Sequence, residues 1–416
     1  MKVLVVGAGG REHTLVWKLK QSPRVSQIYC APGNAGTSQM ASNVALSDTD
    51  IPGLLKFAQE HGIDLTVVGP EVPLVAGIVD KFEASGMRIF GPNARAAILE
   101  GSKIFTKELL SKYHIPTAEY HRFNQAQSAL KFLESNPIYP IVIKADGLAA
   151  GKGVLISFSK EEAKQGVREM MEDKVFGKAG DEIIIEEFMT GPELSMLCFV
   201  DSNTVVPMVS AKDYKRIGEG DTGLNTGGMG AISPNPLYDR KLEEYCLKNI
   251  IEPTLKGMQE EGRAFKGILY CGVMLTPEGP KVLEYNVRFG DPETQVILPR
   301  LKTDLVDIFE AVIDDRLCEI KIVWDEGAAA TIVLASHGYP ESYSKGLKIS
   351  GLEKVKSSVI FHAGTKNVNG MIVTNGGRVL SIASTAASVA EALNTSYQNG
   401  ELIQFDGKTI RRDIGS

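Results

Sequence analysis

The sequence predicts an α/β and α+β multidomain protein: an N-terminal doubly wound parallel-sheet domain, a larger central α+β domain and a small C-terminal α/β domain. Three observations predict it. The first hundred residues alternate continuous apolar strand runs with helix-period segments, as a parallel sheet covered on both faces requires. From Ser102 the texture becomes longer strands with glycine-rich connections, and after Trp324 it changes again to short strands and one late helix. A chain of 416 residues is too long for one ordinary core, which agrees with this division. The expected boundaries are 1–101, 102–323 and 324–416.

In the first segment, "KVLVVGAG" is a buried strand and "REHTLVWKLKQS" has helical periodicity. "SQIYCA", "IDLTVVGP" and "MRIFGP" read as further strands, with "IPGLLKFAQEHG" and "LVAGIVDKFEASG" as helices between them, and "GPNARAAILEGSK" closes the unit. The second segment opens with the helix "SKIFTKELLSKY", then "IPTAEYHRF" and the helix "QAQSALKFLES". Strands "PIVIK", "GVLISF", "EIIIEEF", "LSMLCFV" and "TVVPMVS" follow. Residues 211–231, "AKDYKRIGEGDTGLNTGGMGA", read as a long aperiodic loop, and loops of that length tend to be functional or disordered. A helix near 239–262, the strands "GILYCGVMLT" and "PKVLEYNVRF", and the helix "TDLVDIFEAVIDD" complete this core. In the third segment "AAATIVLASHGYP", "VIFHAGT" and "MIVTNGGRVLSIAS" read as strands, the two halves of the last joined by an "NGG" turn. A helix near 386–398 and a final strand end it.

Composition narrows the function. A hydrophobic share of 43% with 23% charged residues belongs to a globular protein. The net charge of −6 argues against a nonspecific binder of nucleic acid or acidic membrane, while small anionic substrates and a local basic cleft remain allowed. Five scattered cysteines without Cys-x-x-Cys spacing favour reduced thiols over disulfides or zinc. "MKVLVVGAGG" enters a strand directly, and no apolar run is long enough for a bilayer, so a cytoplasmic protein is expected.

Four motifs carry chemistry. "ADGLAAGKGV" follows an apolar strand like a phosphate loop, but Gly147 and Gly151-Lys152 enclose one residue too few for the Walker pattern, and Gly153 replaces its hydroxyl. In "GAGGREH", Gly7 and Gly9 fit a dinucleotide fingerprint, Glu12 stands at its third glycine, and "YCAPGN" lacks the ribose-binding acid. A lone phosphate held by amides at Gly9 and Gly10 suits it better, beside the plain reading of a tight turn. In "EYNVRFGDPET", Glu284, Asn286 and Arg288 share one strand face. The first two are hard oxygen ligands for Mg²⁺, and the arginine can grip a phosphate or carboxylate; a solvated strand face is the alternative. "IIIEEFMTGPELSM" reads as a hinge whose backbone can pair with an adenine edge, or as an ordinary hairpin. Lys103, Lys144 and Lys152 with such a metal would neutralise a nucleoside triphosphate, and no Ser-His-Asp or Cys-His nucleophile is evident, consistent with phosphoryl transfer.

The order "KADGLAAGKGV", "EEFMTGPELSM", glycine-rich segment, "EYNVRFGDPETQ" resembles the ATP-grasp superfamily. More closely, "VLVVGAGGREH", "GPEVPLVAGIVD", "AAILEGSK", "KDYKRIGEGDTGLNTGGMGA" and "LEYNVRFGDPETQ" are similar to the phosphoribosylamine–glycine ligase (glycinamide ribonucleotide synthetase) family, over essentially the whole chain. The resemblance implies a central ATP-grasp fold with a mobile lid, its subdomain at about 115–190. It implies ATP-dependent ligation of glycine to 5-phosphoribosylamine through glycyl phosphate, in de novo purine biosynthesis. ATP would be a co-substrate with Mg²⁺ or Mn²⁺, and the partners would be small molecules alone, with no nucleic acid or membrane and a monomeric chain.

Residue by residue, the resemblance assigns ATP phosphates to Lys103, Lys144, Gly147, Gly151, Lys152 and Gly153. It assigns adenine to Glu186, Glu187 and Phe188, ribose to Glu193, and metal to Glu284 and Asn286. Arg288 and Asp213 would be catalytic, and Gly9, Gly10, Glu12, Pro70, Glu71, Asn225, Gly227 and Gly228 would bind the other substrates. Many superfamily members carry another acidic metal ligand on the preceding strand, where "YCGVMLT" offers Met274. A Rossmann-type dehydrogenase is the competing enzyme class, and a nucleotide-sensing module, which would not need the lysines and metal pair, is the non-enzymatic one.

Overall fold

The computed structural model of the chain describes residues 1–148 and 153–416, so Gly151 and Lys152 of the expected phosphate loop lie outside the described residues. Lys2–Gly7 is the middle strand of a five-stranded, wholly parallel sheet. Gln27–Pro32 and Ser42–Asn43 lie on one side of it, Leu65–Val68 and Ile89–Phe90 on the other. Val3 to Val6 are completely buried, as a continuous apolar run covered on both faces must be. The order reverses at the first strand, and in such sheets ligands gather in the crevice beyond the strand ends there.

"LVAGIVDKFEASG" is not one helix. It divides into Glu71–Val75 and Ile78–Ala84, because Gly77 stands at φ +85°, a left-handed conformation through which an α-helix cannot run. Farther on, Ser102 separates Ala94–Gly101 from Lys103–Lys112 and caps the second helix by accepting the Phe105 N–H at 3.1 Å. Its hydroxyl also donates to Asp146 at 3.0 Å, tying that helix to the strand Ile141–Ala145.

Two four-stranded antiparallel sheets make the central part. One runs Tyr120–Phe123, Ile183–Glu187, Ile141–Ala145, Val154–Ser157, with the helices Ala126–Ser135 and Lys160–Met171 closing a separate small core around Leu133, Ile143 and Val167. The other runs Val205–Pro207, Glu193–Val200, Gly267–Thr276, Gly279–Asn286. Its last two strands shift register at Gly272/Val273, making Leu283 an extra residue just before Glu284.

Residues 211–231 are not the aperiodic loop expected. They hold Lys212–Asp213, the hairpin strands Arg216–Gly218 and Thr222–Asn225, and Gly230–Ser233. The strands are too short to show periodicity, and Gly220, Gly223 and Gly228 at positive φ turn the chain between them. Gly230–Ser233 pairs with Ala328–Ser336, so a six-stranded sheet draws strands from both sides of residue 324. Arg378–Ala386, Val359–His362 and Lys408–Thr409 complete it under the helix Val389–Leu402.

The "NGG" turn does not make a hairpin. Met371–Thr374 pairs with Thr365–Val368 in a separate two-stranded sheet, while Arg378–Ala386 joins the large one. A Cβ on Gly364 would lie 2.4 Å from the Cα of Gly376, so the backbones touch where the chain changes sheets. Among the described residues no helix is long and apolar enough to cross a membrane.

Candidate active site

The two four-stranded sheets, the six-stranded sheet and helices packed with the five-stranded sheet all contribute to the lining of a cavity of about 430 Å³. Its lining divides into chemically distinct groups. The first is built from lysines. Lys103 and Lys107 are one turn apart on the same helix face, and Lys144 comes from the strand beside the one carrying Glu186. Glu186 is 3% exposed; its Oε2 lies 2.9 Å from Lys144 Nζ and its Oε1 3.4 Å from Lys107 Nζ. Burial lowers Lys107 to about 8 against the pull of Glu186. Lys103 donates to the carbonyl of Gly147 at 2.9 Å, and Gly147 holds φ +101°, where a side chain would be strained. Three lysines facing one glutamate leave the group cationic, as phosphate binding needs.

The second group centres on Arg288. Its Nε lies 3.2 Å from Glu71 Oε2 and its Nη2 3.3 Å from Glu100 Oε1, and Nη2 donates to Asn286 Oδ1 at 2.8 Å. Glu100 also accepts the Val287 N–H at 2.7 Å. Burial raises Glu100 to about 7 in spite of Arg288. Burial pushes the Glu71 carboxyl up as well, but Arg288 and Arg11 outweigh it and hold it below the usual range.

A third group surrounds Lys215, whose Nζ is 3.3 Å from both Asp213 and Glu193. Burial alone would lower Lys215, yet Asp213 and Tyr270 hold it well above the usual lysine value. Tyr270 donates to Glu293 at 2.9 Å.

The first turn behaves differently from expectation. Glu12 is 2% exposed, accepting the Gly9 N–H at 2.5 Å and Arg11 Nε at 2.6 Å. Its carboxylate therefore staples the turn from below. A Cβ on Gly69 would fall 2.0 Å from Glu12 Oε1, so the glycine beneath makes room for the acid that replaces the fingerprint's third glycine. The helix Gly10–Leu19 turns its Arg11 N–H to Asp291 Oδ2 at 3.3 Å, and Gly10 lies against Gln295. Asp291 is in turn held 3.4 Å from Arg378 of the six-stranded sheet.

The other expected residues are placed as follows. Lys103, Lys144, Gly147, Gly153, Glu186, Asp213, Glu71, Gly227, Glu284, Asn286 and Arg288 all line the cavity. Glu187 is exposed and lies 3.3 Å from Lys281, Phe188 is half-buried just past the strand end, and Glu193 sits 47% exposed beside Lys215. Pro70 caps the helix Glu71–Val75, and Asn225 is exposed in the hairpin opposite Arg216. Gly228, at φ +112°, packs where a Cβ would be 2.4 Å from Pro292.

Lys107, Lys215, Glu100, Tyr270, Glu293, Asp291 and Arg378 line the same cavity and were not foreseen. Lys107 had a readable signal, its spacing of four from Lys103 on one helix. Arg378 had none, since it arrives from another sheet.

Glu284 is exposed on the cavity wall, and Asn286 Oδ1 keeps a lone pair beyond the one Arg288 uses. Two hard oxygens on one strand fit a magnesium ion. Met274 contributes no ligand: it is 8% exposed and packs with Ala118 and Met189. Among the described residues no group of three or more His, Cys, Asp or Glu gathers as a metal cluster.

Family models of phosphoribosylglycinamide synthetase match the chain in succession: the N domain at residues 1–100, the ATP-grasp (A) domain at 101–294 and the C domain at 329–416. The phosphoribosylamine–glycine ligase of Caldanaerobacter subterraneus subsp. tengcongensis is 51% identical over 416 residues, covering 100% of both chains. The crystal structure of the phosphoribosylamine–glycine ligase of Thermotoga maritima superposes with a TM-score of 0.83 at 34% identity, over 99% of this chain and 100% of that one. The biotin carboxylase domain of Hydrogenobacter thermophilus 2-oxoglutarate carboxylase, solved with MgADP and bicarbonate, shares the fold at TM-score 0.75 and 16% identity, over 98% and 91% of the two chains. By full-length likeness and three-part architecture, the chain belongs to the phosphoribosylglycinamide synthetase family.

Proposed function

We propose that the chain joins glycine to 5-phosphoribosylamine at the expense of ATP, giving glycinamide ribonucleotide, ADP and phosphate in de novo purine biosynthesis. The carrying observation is the 51% identity, end to end, with a phosphoribosylamine–glycine ligase. The cavity supports it, with a cationic lysine group beside carboxylate–arginine groups.

A carboxylate does not react with an amine, because its leaving group would be oxide. Transfer of the γ-phosphoryl group to glycine replaces that oxide with phosphate. The ribosylamine nitrogen then attacks the glycyl carbon, and phosphate departs. In this reading Lys103, Lys144 and the 147–153 segment hold the ATP phosphates, with backbone at 186–188 against adenine and Glu193 at the ribose. Arg288 orients the glycine carboxylate. Glu284 and Asn286 hold Mg²⁺ or Mn²⁺, which supplies charge neutralisation to the triphosphate. The N-terminal sheet, with Gly9, Gly10 and Glu71 at its crevice, takes the ribosyl phosphate. Glycyl phosphate hydrolyses readily, so the 147–153 segment also serves to keep water out. The reaction needs only small molecules, and the chain acts as a monomer.

The test is direct. Purified protein should release phosphate and form glycinamide ribonucleotide only when ATP, Mg²⁺, glycine and phosphoribosylamine are all present. A protein that reduced NAD(P)⁺ with a substrate and made no ligase product would overturn the reading.

A further inference from the structure

Residues 216–225 leave the cavity wall and return to it. Lys215 on one side and Thr226 and Gly227 on the other are the feet of this hairpin and line the cavity, and the Thr226 N–H donates to the Lys215 carbonyl at 2.8 Å. The arm between them has little of its own to stand on. Thr222–Asn225 is exposed along its whole length, and its partner Arg216–Gly218 is three residues long. A lone two-stranded ribbon is marginally stable at best in water, so something else must hold this one. Ile217 packs on the core of the six-stranded sheet, and the rest of the hold is polar.

That hold comes from the far end of the chain. Among the described residues, every hydrogen bond and ion pair that residues 216–225 make beyond themselves runs to Arg411 or Asp413. Arg411, with a side chain 1% exposed, donates from Nη1 to the Arg216 carbonyl at 3.1 Å and sets Nη2 2.8 Å from Asp221 Oδ1. Asp413 accepts Arg411 Nε at 2.6 Å and Nη2 at 3.0 Å, and takes the Gly220 N–H at 2.8 Å. The guanidinium thus divides its donors among the first strand, the tip and the tail. Its Cζ also lies 5.2 Å from the ring centroid of Tyr214, a 3% exposed side chain between the cavity residues Asp213 and Lys215. The tail is anchored in turn, because Tyr397 of the helix Val389–Leu402 donates to the Arg411 carbonyl at 3.0 Å. Arg411 itself lies outside the cavity lining.

We propose that Arg411 is a positioning residue of the ligation: it fixes the hairpin and Tyr214 from behind the wall, so that the tail of the chain sets where Lys215, Thr226 and Gly227 stand. The assignment rests on the ligase reading above and deepens it. Asp221 shows the demand on this clamp. It holds φ +53°, a left-handed conformation uncommon outside glycine, and its carboxylate is turned to Arg411. A lysine at 411 would bring one point charge and could not serve strand, tip and tail together. Lys103 and Lys144 stand on another helix and another sheet, so the clamp acts on one side of the cavity.

The experiment uses the full-length chain, with steady-state kinetics and limited trypsin digestion side by side. Trypsin reads the arm directly, because Lys215 and Arg216 at its first strand are cleavage sites identified by fragment mass. In Arg411→Met, cleavage there should quicken, and kcat/KM for glycine and phosphoribosylamine should fall, each by at least about tenfold, since small misplacements of a site are felt on that scale. The ATP KM should move less than about twofold, because the lysines are placed independently. Arg411→Lys should recover only part of the loss. Asp413→Ala, past the last strand, frees the tip without emptying the buried site; it should shift both readouts a few-fold, and it carries the test should Arg411→Met fail to fold. Faster cleavage with unmoved glycine and phosphoribosylamine kinetics would make the clamp purely structural and overturn the proposal, as would folded variants unmoved in both. A wild-type chain that makes no glycinamide ribonucleotide would overturn the ligase reading instead, so the two failures are distinguishable.

Discussion

The lysine group and the carboxylate groups share one cavity, yet they treat the same residue type in opposite ways. Glu186 stands between two lysines, within 2.9 Å of one and 3.4 Å of the other. Glu100 and Glu293 have fewer cations than carboxylates around them, and burial raises both to about 7. The difference teaches that the sign of the local surplus, and not the residue name, decides which charge each part of the cavity can receive. A cationic surplus suits the phosphate chain of ATP. A carboxylate surplus suits guests that bring amines and hydroxyls.

The strongest way to break this contrast is Lys144→Met. It removes the closer cation from Glu186 and a proposed phosphate ligand together. Losing one partner of a buried pair costs about 3–5 kcal/mol, and losing an electrostatic contact at a transferring phosphoryl group costs about 10²–10³ in rate. Thermal unfolding and ATP kinetics would read both; an unchanged ATP KM and kcat would remove the lysine group from phosphate binding.

Glu100→Gln tests the opposite surplus through pH. Glu100 holds its proton more tightly in the folded chain, about 7, than at its ordinary value of 4.5. Its favourable contribution is therefore complete below about pH 4.5 and is lost as pH rises through 7, up to about 3 kcal/mol. The glutamine variant should flatten the unfolding free energy across that window. A profile parallel to wild type would assign the slope to other groups.

Glu284→Ala should raise the Mg²⁺ requirement and lower activity roughly tenfold or more, the usual scale for disturbed metal sites. Wild-type activity at every Mg²⁺ concentration would make Glu284 an ordinary wall residue. The smallest effect belongs to Glu187, the neighbour of Glu186. It is an exposed carboxylate 3.3 Å from Lys281, so Glu187→Ala should cost less than about 1 kcal/mol. Its ATP KM should stay within about twofold, because adenine would meet the backbone there; a large rise would give the side chain a direct role.

Residues whose chemistry and local pattern coincide in the sequence are found on the cavity lining. Lys144 ends an apolar strand before a glycine segment, and Glu284, Asn286 and Arg288 alternate on one strand, so both were legible. The sequence was less informative where a residue's work depends on a distant partner. Glu12 was visible as a departure from the dinucleotide pattern, but only Gly69, far along the chain, reveals that it staples the turn. Lys215 lay in a segment read as a loop, because three- and four-residue strands carry too little periodicity to be seen. Arg378 and Asp291 meet through packing of separate sheets, and no spacing in the sequence encodes that meeting.

The six-stranded sheet has a consequence for anyone dividing this polypeptide. Gly230–Ser233 and Ala328–Ser336 are rungs of one ladder, and Arg378 donates to the carbonyl of Asp291 at 2.7 Å. A fragment stopped at residue 323 would strip a partner from four buried residues and bare a row of unsatisfied amides and carbonyls. Such an edge recruits copies of itself, so the severed piece would tend to clump. The change in texture along the chain at 324 therefore marks no safe place for scissors.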